Sequence, residues 1–155
     1  MLPTKFVANR GPLDVGPGKM GDRKIVNEII AHMEKPHTQP QFVACGLFRP
    51  HLPWYLPRAI FDEVPLESVV PPLSPEYDLD DVPSAGIDVA SKGSALVKRA
   101  IQQSDDKDPN LPSGVQAYLA SIVFSDKNLG MLLDSLDGGS APAMNTENTI
   151  VVVWR

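Results

Sequence analysis

Apolar residues recur at helical spacing at Ile25, Val26, Ile29, Ile30 and Met33. That spacing predicts a helix from Arg23 to Glu34 with one buried face, and Asp22 is placed to cap it. A second, longer stripe runs through Val115, Leu119, Ile122, Leu129, Leu133 and Leu136. It predicts the longest helix, from Ser113 or Gly114 to Leu136, ended by Gly138-Gly139-Ser140. Two short runs are apolar on both faces: Phe42–Leu47 and the β-branched Thr149–Trp154. Both are expected to be buried strands of a parallel sheet, the second a central one. Shorter helices are expected at Arg58–Glu63 and Ser94–Gln103.

The segments between are rich in turn signals. Residues 1–20 carry Gly11-Pro12 and Gly16-Pro17-Gly18, 64–83 form an extended Pro- and Asp-rich passage, and Ser104–Pro112 is a polar loop. The order helix, strand, loop, helices, strand is that of an α/β protein with helices on a mostly parallel sheet. Ligands of such folds bind at the carboxyl ends of strands. The loop around His51 and the terminal Arg155 are both expected there.

Composition narrows the class. The chain has 155 residues, 43% apolar and 21% charged, which suits one modest soluble domain. Sixteen prolines are about twice the usual share of roughly 5%, and ten of them lie between Pro36 and Pro83. Proline lacks the amide donor and fixes φ, so that stretch is neither regular helix nor central strand. Its aromatic residues Phe42, Phe48, Trp54, Tyr55 and Phe61 favour an ordered loop over a linker. A net charge of −5 without a basic stripe argues against a nucleic-acid partner. No apolar run reaches the ~20 residues of a membrane span. Met1–Lys5 has no apolar core of a signal peptide. A single cysteine, Cys45, excludes an internal disulfide and a cysteine-based zinc site.

The distinctive stretch is Phe42–Asp62, FVACGLFRPHLPWYLPRAIFD. It resembles the central motif of the iduronate-sulfatase-like branch of the sulfatases: an apolar strand, a basic residue, Pro-His-x-Pro, and then a Pro-rich run like Val70-Pro71-Pro72. Gly11–Val15 and Met20-Gly21-Asp22 resemble the same branch upstream. Tyr118–Leu136 resembles its long helix, and Asn148–Trp154 the strand after it. The likeness is weak over residues 84–112.

The resemblance implies a partial alkaline-phosphatase/sulfatase-like fold. Residues 1–155 would be the central part of a single catalytic domain, incomplete at both ends. It implies hydrolysis of sulfate esters of sugars or polysaccharides, with a calcium ion and a formylglycine made in a C/S-x-P-x-R motif. Family members are typically secreted, periplasmic or lysosomal. His51 matches the family's sulfate-contacting histidine, as a donor to a sulfate oxygen or to the leaving group. Arg49, Trp54 and Tyr55 would line the substrate cleft. The C/S-x-P-x-R motif itself does not occur, and neither the calcium-site aspartates nor the family's Asp-His-Gly after the last strand is found. The isolated chain is therefore expected to be inactive. Two other readings stay open: a non-catalytic remnant that binds sulfated glycans, and a phosphate-ester hydrolase of the same superfamily.

Other candidates read as structural. Cys45 and Arg49 have formylglycine-motif spacing, but Leu47 stands where proline is required, so Cys45 is expected to be a buried inert thiol. Asp80-Asp81 reads as a solvated acidic turn. Asp106–Asn110 begins like a calcium loop, but Leu111 and Ala117 lack the turn and the bidentate ligand. Asp126 interrupts the long helix's apolar stripe and is expected to be buried and hydrogen-bonded to a neighbouring segment, a structural role. His32 is expected on the solvent side of its helix and His37 in the turn after it, neither with a metal-ligand partner.

Overall fold

A computed structural model describes residues 10–71, 80–92, 111–137 and 143–154. Strand β1 (Arg10–Leu13) leads through a 3-10 turn into helix α1 (Gly21–Met33). A long irregular passage follows, then strand β2 (Trp54–Pro57) and helix α2 (Arg58–Asp62) directly after it. Helix α3 is Ser84–Lys92, and helix α4, 27 residues long, is Leu111–Asp137. The strands β1 and β2 pair in parallel, Arg10 opposite Trp54 and Leu13 opposite Pro57. Mixed helix and a small parallel sheet agree with the expected α/β class.

The sheet is not where the apolar runs pointed. Phe42–Leu47 and Thr149–Trp154 belong to no ladder among the described residues. Phe42 and Ile150 are each 92% exposed. A strand needs neighbours to take its amides and carbonyls, and among the described residues these runs pair with no other strand. The observed strands are instead Gly- and Pro-containing. Gly11 sits at φ +148, a value that glycine adopts without the Cβ penalty. Pro12 and Pro57 donate nothing to a ladder, and each strand is only four residues long.

The core forms where α2 and α4 cover β2. Leu56, Ile60, Phe61, Ala117, Ala120 and Phe124 are buried together, with Met20, Trp54, Val64 and Val123 packed around them. The buried face of α4 is thus Ala117, Ala120, Ser121, Phe124 and Asn128, with Leu136 near its end. Leu119, Ile122 and Leu133 of the expected stripe are 38–40% exposed. Small residues at 117, 120 and 121 are fully buried while these larger ones are not, so bulk did not decide which face went in. Asp126, expected inside, is exposed.

Helix α1 starts two residues before Arg23, and its buried residues are Asp22, Val26 and Met33, while Ile25 remains exposed. Met20, not Asp22, is the cap residue. Arg23 Nε donates to Asn128 Oδ1 at 2.6 Å, and its guanidinium stands 5.8 Å from the Phe124 ring centre. This joins α1 to α4 by a hydrogen bond and a cation–π contact. Gln116 donates to the Val64 carbonyl at 2.7 Å and closes α4 onto the end of α2. The expected helix Ser94–Gln103, the loop Asp106–Asn110 and Arg155 lie outside the described residues.

Candidate active site

The candidate loop runs from Phe48 to Pro53 and enters β2 at Trp54. It therefore stands at the amino end of a strand, and the Phe42–Leu47 run before it, expected to be a strand, forms none. Four contacts build it. Phe48 N–H donates to Asp22 Oδ1 and Arg49 N–H to Asp22 Oδ2, both at 3.0 Å. The His51 amide donates to the Phe48 carbonyl at 3.0 Å, which closes a turn. Trp54 Nε1 donates to the Pro50 carbonyl at 2.7 Å, so the indole straps the loop from the strand side. Both Arg49–Pro50 and Leu52–Pro53 are cis peptide bonds.

His51 is exposed at the tip, its ring 5.0 Å from that of Phe48. Its Nδ1 lies 2.6 Å from the Leu52 carbonyl oxygen. A carbonyl only accepts, so Nδ1 carries a proton and Nε2 is the ring atom left for a ligand. Arg49 is turned inward. One terminal nitrogen donates to the Tyr55 carbonyl at 3.3 Å, its guanidinium stands 5.2 Å from the Phe48 ring centre, and its Nε is buried without a partner. Trp54 is half-buried, its ring 5.4 Å from that of Tyr118. The structure thus places Arg49 and His51 in the loop and Trp54 at the start of β2 against it, and of the three only His51 is exposed.

Sequence reasoning missed Asp22 as part of this loop. Its only local signal was an acid beside a helix start, and its partners lie 26 and 27 residues further along the chain. Tyr118 was missed for the same reason. Cys45 is partly buried, and burial pushes its thiol up, helped by the nearby Asp22 charge. A raised thiol pKa lowers the share of reactive thiolate, although Cys45 is only partly buried where full burial is expected from the sequence. Asp80 and Asp81 lie in an exposed turn. His37 Nε2 lies 3.0 Å from the His32 carbonyl, and the half-buried His32 ring faces the His37 ring at 4.6 Å. Among the described residues no three His, Cys, Asp or Glu side chains are grouped to hold a metal ion. An open cavity of about 620 Å³ lies elsewhere, between β1, α2 and the start of α4. Arg10, Arg58, Asp62 and Glu67 give it balanced charge, and none of His51, Arg49 and Trp54 lines it.

Comparison with known proteins gives the family. The chain is 35% identical to a sulfatase of Formosa agariphila across 87% of its own length. It is 27% identical to human iduronate 2-sulfatase and 28% identical to the mouse protein, over 81% and 80% of the chain. By sequence the chain is a member of the sulfatase family, of its iduronate-sulfatase-like kind. It spans about a quarter of the length of these relatives, 24–25%. No family model matches the chain, and no solved structure does.

Proposed function

We propose that the chain supplies the sulfate-contacting histidine loop of a sulfuric ester hydrolase acting on sulfated sugars or polysaccharides, in an alkaline-phosphatase-like fold. The observation that carries this reading is the His51 imidazole, exposed at the tip of a loop whose other polar groups are turned inward. With Nδ1–H engaged by Leu52, Nε2 is the ring atom that faces a ligand, and when it carries a proton it donates to a sulfate oxygen. The same proton can pass to a departing sugar oxygen, and Nε2 is then left as an acceptor. Trp54 and Tyr118 hold the loop from below, which keeps the ring's position from drifting.

Calcium and formylglycine belong to the reaction that the family implies, but the residues described do not fit them. No metal-ligand group is present among the described residues, and Leu47 breaks the one Cys-to-Arg spacing. The 155 residues alone are expected to bind sulfate esters without hydrolysing them. Two assays of the purified chain test this. Dextran sulfate should bind and unsulfated dextran should not, with His51→Ala at least about tenfold weaker, as for loss of one hydrogen bond to a charged group. The net charge of −5 works against general polyanion adsorption, so binding would be local. Equal binding of both polymers contradicts the proposal. So does turnover of an aryl sulfate that His51→Ala abolishes, because it would mean that these residues suffice for the chemistry.

A further inference from the structure

We infer that Asp22 is the positioning residue of the His51 loop: its carboxylate clasps two consecutive backbone amides and so fixes where the imidazole stands. An acid in the first turn of a helix ordinarily serves that helix's own free amides. Asp22 is instead taken up by the loop, and the cap residue of α1 is Met20, without a side-chain cap hydrogen bond. Both oxygens go instead to the loop, Oδ1 to Phe48 N–H and Oδ2 to Arg49 N–H. The residue is only 5% exposed, so these amides replace its water.

The linkage to the imidazole is short. Phe48 is held by Asp22 through its amide, and through its carbonyl it holds the amide of His51. The Phe48 ring also faces the imidazole at 5.0 Å. Displacing Phe48 therefore displaces the turn that carries the histidine. Helix α1 in turn is tied to α4 through Arg23 and Asn128, one residue beyond Asp22. The loop is thus referenced to the helix pair, although it is far from both along the chain.

The functional weight of this clamp rests on the reading of His51 as the sulfate contact, and the test separates the two. It compares amide hydrogen exchange and histidine ring resonances of the full chain with Asp22→Asn and Asp22→Glu. Asparagine has one acceptor oxygen, and its NH2 would face the second amide donor to donor. In Asp22→Asn, one of the Phe48 and Arg49 amides should keep its protection and the other exchange at least about tenfold faster. Amides of α4 should be unchanged, the His51 ring resonances should move, and those of His32 and His37 should not. A general loss of α1 would not give that residue-specific split. Glutamate keeps the charge but sets it one methylene further out, so the His51 ring and its response to inorganic sulfate should stay altered. Unchanged Phe48, Arg49 and His51 signals in Asp22→Asn would overturn the inference. If that variant does not fold, a folded Asp22→Glu chain with wild-type His51 signals would overturn it too, since charge alone would then suffice. A wild-type ring blind to sulfate would sink the functional reading, while the amide pattern would still decide the clamp.

Discussion

His51 donates from Nδ1 to its own neighbour's carbonyl and projects into solvent, so it contributes little to the fold. His51→Ala should change the unfolding free energy by no more than about 0.5 kcal/mol, as an exposed side chain without core contacts. Urea titration checks this, and a larger loss would give the residue a structural role instead. Cys45 is the opposite case. Its thiol is pushed up by burial first and by Asp22 second, so at neutral pH it is protonated in the folded chain. Iodoacetamide should label it slowly in buffer and quickly in urea. The pH consequence has a definite sign. The folded thiol's pKa lies above the unfolded one, so the stability it carries is complete below the unfolded pKa. That stability is lost as pH rises through the folded pKa. The urea midpoint should fall from neutral to alkaline pH, and Cys45→Ala should flatten that fall.

Helix α4 shows what hydrophobic periodicity can and cannot reveal. Its existence and end were legible, because Val115 to Leu136 recur at helical spacing. Its buried face was not, because Ala117, Ala120, Ser121, Phe124 and Asn128 keep the same spacing with less apolar bulk. The side that faces β2 is chosen by how closely the elements can approach, which a single helix's pattern does not contain. Phe124→Ala should therefore cost about 3–5 kcal/mol, while Ile122→Ser should stay within about 0.5 kcal/mol. Thermal unfolding of the two variants separates these faces. The strands failed for a related reason. Val151–Val153 have the stronger β propensity, but a ladder needs a partner, and Arg10–Leu13 finds one in Trp54–Pro57. In the site, the Pro-His-x-Pro run exposed the candidate histidine in sequence. The Asp22 clamp was hidden because nothing local links residue 22 to residue 48.

Among the described residues the core is small, one cluster of six buried side chains. Against it stand exposed apolar side chains at Phe42, Val70, Val89, Ile150 and Trp154. Exposed apolar surface of this kind favours association. The isolated chain is expected to unfold with a free energy below about 5 kcal/mol, the lower end of the usual range. A sharp, cooperative thermal transition of a monomer with several kcal/mol more would contradict that. The chain corresponds to about a quarter of the length of its sulfatase relatives. The most direct measurement is an inorganic sulfate titration at constant ionic strength, read on the ring resonances of all three histidines. A saturable shift at His51 alone, absent in His51→Ala, is the predicted result. Equal shifts at His32, His37 and His51, or none at His51, would contradict a sulfate-contacting loop.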